Sequence, residues 1–182
     1  MNIPSLAENY PALFRADRWG DIQYQFELRD DPPPANLISN VNLAPFVGEQ
    51  CLIIRLCTCE WEIPGGTVEP GENYLDTIRR ELLEEAGARL KTFEVFGAWH
   101  HHSSAPNPYR PHLPHPESFR VVGFGEVELI GSPQNPAGGE QVASVECVTV
   151  EEAGQRFTAI GRPELAELYR LAAAVRKKRT GA

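Results

Sequence analysis

Arg80, Glu81, Glu84 and Glu85 place one cation and three carboxylates within six residues. The segment 73–86 predicts a helix: Asn73 suits the N-cap, Asp76 sits three residues on, and Gly87 is placed to end it as a left-handed cap. On that helix Leu75, Ile78, Leu82 and Ala86 form an apolar stripe. The three glutamates span about 100° of one side, and Glu85 falls at the edge of the stripe. Three local rules are then broken together. A buried unpaired carboxylate costs several kcal/mol, like charges one turn apart repel, and the macrodipole disfavours anions near a helix C-terminus. A divalent cation would settle all three. The alternative is a solvated acidic face, the usual fate of glutamates on a helix.

The residues ahead of the helix complete a longer pattern. Trp61-Glu62-Ile63-Pro64-Gly65-Gly66 reads as a short strand ending in a glycine turn. From there the chain runs Gly66-x5-Glu72-x7-Arg80-Glu81-Leu82-x-Glu84-Glu85-x-Gly87-Ala88. This matches the Nudix box at every charged and glycine position, and the chain resembles the Nudix hydrolases. The one departure is Ala88, where the family usually carries a larger aliphatic residue. The resemblance implies an α/β fold, the Nudix-type α/β/α sandwich with a mixed central sheet. It also implies a Mg²⁺-dependent pyrophosphohydrolase, with Mn²⁺ as a substitute, cleaving a nucleoside diphosphate linked to another moiety by metal-activated water. The linked moiety would be of ADP-ribose, nucleotide-sugar or nucleotide type. By the family pattern Glu81, Glu84, Glu85 and the Gly65 carbonyl hold the metal, an all-oxygen set that suits hard cations. Arg80 would pair with Glu72 and orient Glu81. The other reading is a non-catalytic Nudix-like nucleotide-binding regulator. Such proteins usually lose box carboxylates, and this chain keeps them.

Many family members draw one more glutamate from a loop ahead of a late strand. Glu140, after Gly138-Gly139, is the candidate here, as an extra ligand or as the base. A plain loop carboxylate is the alternative, and Glu117 is a weaker rival. All five histidines and five prolines fall within residues 100–117, read as a long loop. His100, His101, His102, Tyr109 and Arg110 are its candidates for substrate contact, by stacking on a base or binding phosphate. Imidazoles titrating near pH 6.5 would charge together in mild acid and favour a polyphosphate. The other readings are a solvated loop, or a zinc site that lacks a cysteine partner and a standard spacing.

The elements that position these groups are predicted as strands at 22–28, 51–56, 92–99, 119–129 and 142–150 and a closing helix at 163–178. Asp30-Asp31-Pro32-Pro33-Pro34 sets off residues 1–36 as an extension that packs on the core or forms a homodimer contact; residues 37–182 hold the Nudix hydrolase domain. The 17 Lys and Arg against 25 Asp and Glu give a net charge of −8 over 182 residues. That balance disfavours nucleic acid as a partner, but not a small phosphorylated ligand whose charge a metal can meet. No apolar run approaches the roughly 20 residues of a membrane span, and the first residues carry no signal-peptide pattern. Cys51, Cys57, Cys59 and Cys147 are read as buried thiols of a cytoplasmic protein.

Overall fold

Period-two alternation along the strands builds two apolar layers, one on each side of a single large sheet. The structure, a computed structural model, describes residues 7–181. A helical turn α1 (Pro11–Phe14) leads into β1 (Asp17–Trp19), β2 (Ile22–Leu28), β3 (Ile38–Val47), β4 (Gln50–Leu56), β5 (Trp61–Glu62) and β6 (Gly65–Thr67). Then come α2 (Tyr74–Ala86), β7 (Ala88–Leu90), β8 (Glu94–Ser103), β9 (Glu117–Leu129), β10 (Val142–Val148), α3 (Val150–Ala159) and α4 (Pro163–Thr180). The main strand order is β1-β2-β8-β9-β3-β4-β10, with β5, β6 and β7 attached to β4, β3 and β9. β3 and β9 run parallel, whereas pairs such as β8 with β9 and β10 with β4 are antiparallel, so the sheet is mixed.

Leu52 and Ile54 of β4 pack with Ile78, Leu82 and Ala86 of α2 on one face. Their neighbours Cys51 and Ile53 pack with Phe157 of α3 and Leu165, Leu168 and Tyr169 of α4 on the other. Helices therefore cover both faces, the α/β/α arrangement. The Tyr169 hydroxyl is sealed in the second layer and donates to the Leu52 carbonyl (2.8 Å). The catalytic-candidate helix is capped as its sequence predicts. Asn73 Oδ1 accepts from the Leu75 and Asp76 amides, and Gly87 takes φ 57° to close the C-terminus.

Several boundaries differ from the sequence reading. β8 continues to Ser103, so His100, His101 and His102 are strand residues and the loop spans only 104–116. Hydrophobic patterning stops at Trp99, but β2 and β9 hydrogen-bond on both sides and carry the strand on: Tyr24 and Ser118 both face His101. β3 escaped the pattern because Asn40, Asn42 and Pro45 interrupt it. α3 was also unforeseen, though Thr149 caps it by accepting from the Glu152 amide. Leu13 and Phe26 lie in the α4-side core, and β2 pairs with β8, so this part of the N-terminal segment completes the sheet. Cys57 and Cys59 are exposed in the β4–β5 turn, contrary to the expected burial; Cys51 alone is fully buried. Among the described residues no helix is long and apolar enough to cross a membrane.

Candidate active site

β6 pairs antiparallel with β3, Asn42 facing Gly65, and this lays the glycine turn against the side of α2. Glu85 is only 6% exposed there, and its Oε2 accepts from the Gly65 amide (3.1 Å). Burial pushes its carboxyl up to about 8; the Gly65 hydrogen bond opposes that, and the nearby Glu81, Glu140 and Glu62 add to it. Glu81 is raised as well, again by burial and against the pull of Arg80. A Cβ at residue 66 would run into the Glu81 carboxylate, so glycine is what lets that group lie on the turn.

Arg80 ties the carboxylates together. Its Nε and Nη2 grip both oxygens of Glu72 (2.8 and 3.1 Å), Nη1 reaches Glu81 (2.8 Å) and Glu84 (3.4 Å), and Nη2 donates to the Thr67 carbonyl (3.3 Å). Glu72 also accepts from the Thr77 hydroxyl and the Glu69 amide. The guanidinium, with those donors, holds the Glu72 carboxyl down at about 2. One arginine thus fastens the loop ahead of α2 to the helix and lends the carboxylates a positive charge. In this arrangement no three His, Cys, Asp or Glu groups among the described residues converge into a ready metal cage.

The other sequence candidates fall into three places. Glu140 lies on the exposed loop before β10; partial burial and repulsion from Glu62 and Glu60 raise its carboxyl, and its charge is felt at Glu85. His101 points to the α4 side of the sheet, edge-on to Tyr24. Burial and the Arg120 cation depress it to about 4, so mild acid leaves it neutral, contrary to the expected collective charging. His100 Nε2 and His102 Nδ1 point to the opposite side and each meets one oxygen of Glu117 at 2.5 Å. Arg110 pairs with Glu69 (2.5 Å) and stacks over Tyr109, which is 78% exposed, while His112 Nε2 meets the Val68 carbonyl (3.0 Å). The 104–116 loop is therefore folded against residues 68–69, just ahead of α2.

The model of the NUDIX domain matches residues 39–171. The chain belongs to the NUDIX family. Over 67 residues it is 37% identical to the 8-oxo-dGDP phosphatase NUDT18 of Homo sapiens, a match covering 32% of this chain and 21% of that protein. Over 36 residues it is 47% identical to the nucleoside triphosphatase NudI of Escherichia coli (strain K12), covering 20% and 26%. The chain thus spans only about a quarter of the length of these curated relatives. A NUDIX hydrolase from Nitrosomonas europaea superposes with a TM-score of 0.57 at 17% identity, over 77% of this chain and 90% of that one. The pyrophosphohydrolase BsRppH of Bacillus subtilis gives 0.52 at 20% identity, over 69% and 72%. At these identities the likeness is one of fold.

Two polar residues beside the Nudix box were not singled out by sequence. Asn42 of β3 is 7% exposed and its Nδ2 donates to the Pro64 carbonyl (3.4 Å). Arg120 of β9 lies across the sheet from Asn40, and burial lowers its pKa. The signal was present as polar residues at alternate positions of otherwise apolar strands, but it is readable only once β3 is recognised as a strand.

Proposed function

We propose that this Nudix domain is a divalent-metal-dependent pyrophosphohydrolase acting on nucleoside diphosphate derivatives. The observation that carries the reading is Glu85: a nearly buried carboxylate beside Glu81, held on the glycine turn and pushed up to about 8. Nothing in the packing needs an acid there, and perturbed carboxylates in such a setting mark functional sites. The donors fit the ion. They are oxygens only, and Mg²⁺ binds through one or two carboxylates plus waters and substrate phosphates, so a closed protein cage is not required. Glu81, Glu84, Glu85 and the Gly65 carbonyl would hold it. When bound, the ion neutralises polyphosphate charge and acidifies water.

The chain's own groups supply the rest. Arg80 releases or shares Glu81 and Glu84 while Glu72 keeps it anchored, so the carboxylates are prepositioned on α2. Glu140, on the loop before β10 and felt electrostatically at Glu85, is a candidate to take the proton of the attacking water, and a box glutamate would share that role once a bound cation holds it ionised. The names of the matched relatives put nucleoside diphosphates and triphosphates into the substrate panel beside ADP-ribose and nucleotide sugars. The test is product release from this panel with Mg²⁺, with Mn²⁺ and with chelator. Cleavage of at least one member, silent in chelator, is expected. Tight nucleotide binding with no turnover under either metal would replace this reading with that of a binding regulator.

A further inference from the structure

Pairing on both sides makes His100-His101-His102 a strand, and a strand sends alternate side chains to opposite faces. His100 and His102 therefore share the α2 side of the sheet with Phe119, whose strand partner Ile38 lies in the core beneath α2. Glu117, opposite His102 in the β8–β9 ladder, bridges them: its two oxygens meet His100 Nε2 and His102 Nδ1 at 2.5 Å each. Two histidines two residues apart converge only on a strand, and the third member of the group comes from the neighbouring strand.

The His100 ring is also fixed from its other sides. It stacks on Phe119, with centroids 4.5 Å apart and planes at 11°, and its second nitrogen, Nδ1, lies 3.5 Å from Glu27 Oε1 of β2. Glu27 is held in turn by Arg29 (3.4 Å), whose guanidinium lies over the Phe119 ring (5.6 Å to the centroid). A carboxylate on the far nitrogen is the outer partner that metal-binding histidines carry. It keeps a proton on Nδ1, fixes the ring, and leaves the Nε2 lone pair for an ion.

We propose that His100, His102 and Glu117 form a second metal site, for Zn²⁺ or a like transition ion, at the base of the 104–116 loop. Two imidazole nitrogens and a carboxylate, with water in the fourth position, are a zinc donor set that needs no cysteine. The nitrogens set it apart from the oxygen-only box, which suits Mg²⁺. In the present arrangement the three groups close on one another and are not a ready cage. Ligand atoms about 2.0–2.1 Å from a tetrahedral zinc stand about 3.3 Å apart, so each contact must open by about 0.8 Å. No core packing resists that, since all three side chains are partly exposed and Glu117 is 42% exposed on a flexible stem. The ion takes the place of the protons that join nitrogen to carboxylate, and these leave to solvent. The site also has a place from which to act. His102 and Glu117 face each other at the mouth of the loop, where the Ser103 amide donates to the Pro116 carbonyl (2.9 Å). Beyond that mouth, Arg110 and His112 rest on Glu69 and Val68, ahead of α2. A metal clip here closes the loop and braces the stretch that leads into the carboxylate helix.

The test is Zn²⁺ binding to the untagged chain in excess Mg²⁺, read by calorimetry. One tight zinc site is expected in wild type and, unchanged, in Glu85→Gln, whose box is impaired. His102→Ala and Glu117→Gln should each weaken it by about a hundredfold, and Glu27→Gln, which removes only the outer partner, by about tenfold. Zinc should raise the melting temperature of wild type and leave that of His102→Ala nearly unmoved. Should Glu117→Gln fold poorly by circular dichroism, His102→Ala, an exposed position, decides alone. Zinc lost from Glu85→Gln but kept by His102→Ala would put the ion in the box and overturn the inference. So would a wild type that binds no zinc in excess Mg²⁺, or full affinity in His102→Ala. The site does not depend on the proposed hydrolysis: zinc bound as expected by a chain that cleaves no substrate would strike only that activity.

Discussion

Replacing Glu85 by Gln should stabilise the metal-free protein at neutral pH. The carboxyl is at about 8 in the folded chain against an ordinary 4.5. A value raised by folding means that the folded state holds a proton the unfolded state has lost between those two pH values. This group's contribution is therefore complete below pH 4.5 and drains away as pH rises toward 8. At pH 7 the interval traversed is about 2.5 pH units, an upper limit of about 3 kcal/mol at 1.36 kcal/mol per unit. Local relaxation reduces this, and about 1–3 kcal/mol is the working range. Gln is neutral at every pH and its oxygen can still accept from the Gly65 amide. In chelator, Glu85→Gln should match wild type at pH 4.5 and melt higher by roughly 3–10 °C at pH 7–8 for a domain of this size. Adding Mg²⁺ should raise the wild-type melting temperature and leave the variant nearly unmoved, since only the former gains a ligand for its native state. The readout is thermal unfolding followed by circular dichroism across pH, with and without metal. A variant that melts several degrees below wild type in chelator at pH 7–8, or a gap that does not change with pH, would refute the reasoning.

Gly66→Ala sets a methyl group into the Glu81 carboxylate; the side chain can swing away, so kcat/KM should fall at least a hundredfold with a melting temperature within a few degrees of wild type. Glu72→Gln removes a carboxylate held down at about 2, whose contribution is present above pH 4.5 and lost as pH falls through 2. With Glu72 about a fifth exposed, urea melts should show about 1–2 kcal/mol of destabilisation at pH 7 that vanishes near pH 2. Tyr169→Phe strips the buried hydroxyl from the Leu52 carbonyl and should cost about 1–2 kcal/mol by the same assay, with activity unchanged.

The carboxylate helix was legible because its signals are local. Asn73, the apolar stripe of Ile78, Leu82 and Ala86, and Gly87 each act within a turn or two of their own position, and the structure repeats them. The Arg80–Glu72 pair and the contact of Arg80 with Glu81 were readable because the box pattern implies both; that Arg80 also takes Glu84 and the Thr67 carbonyl was not. The errors lie where distant chain decides. Nothing in His100-His101-His102 says strand; β2 and β9 impose it by pairing on both sides. His101 drops out of the role given to mild acid for the same reason, since the burial that depresses it comes from neighbours far off in sequence. Asn42 and Arg120 were invisible because a lone polar residue in a strand acquires meaning only from the face it shares.

The parallel pairing of β3 with β9 has a consequence for biogenesis. Ile38 meets Phe119, about 80 residues later in the chain, and the pairing runs on to Phe46 and Glu126. At ribosomal speeds of about 5–20 residues per second, β3 waits several seconds for its partner. During that time β4 and β6 can pair with it locally, but its other edge stays open, carrying Val41, Leu43 and Phe46. An unpaired apolar edge is a template for pairing with other chains. The box helix and its glycine turn can thus be fully synthesised while the strand that braces them is still the most adhesive part of the nascent chain. Chains truncated before residue 117 should therefore be insoluble, although they contain the whole carboxylate motif.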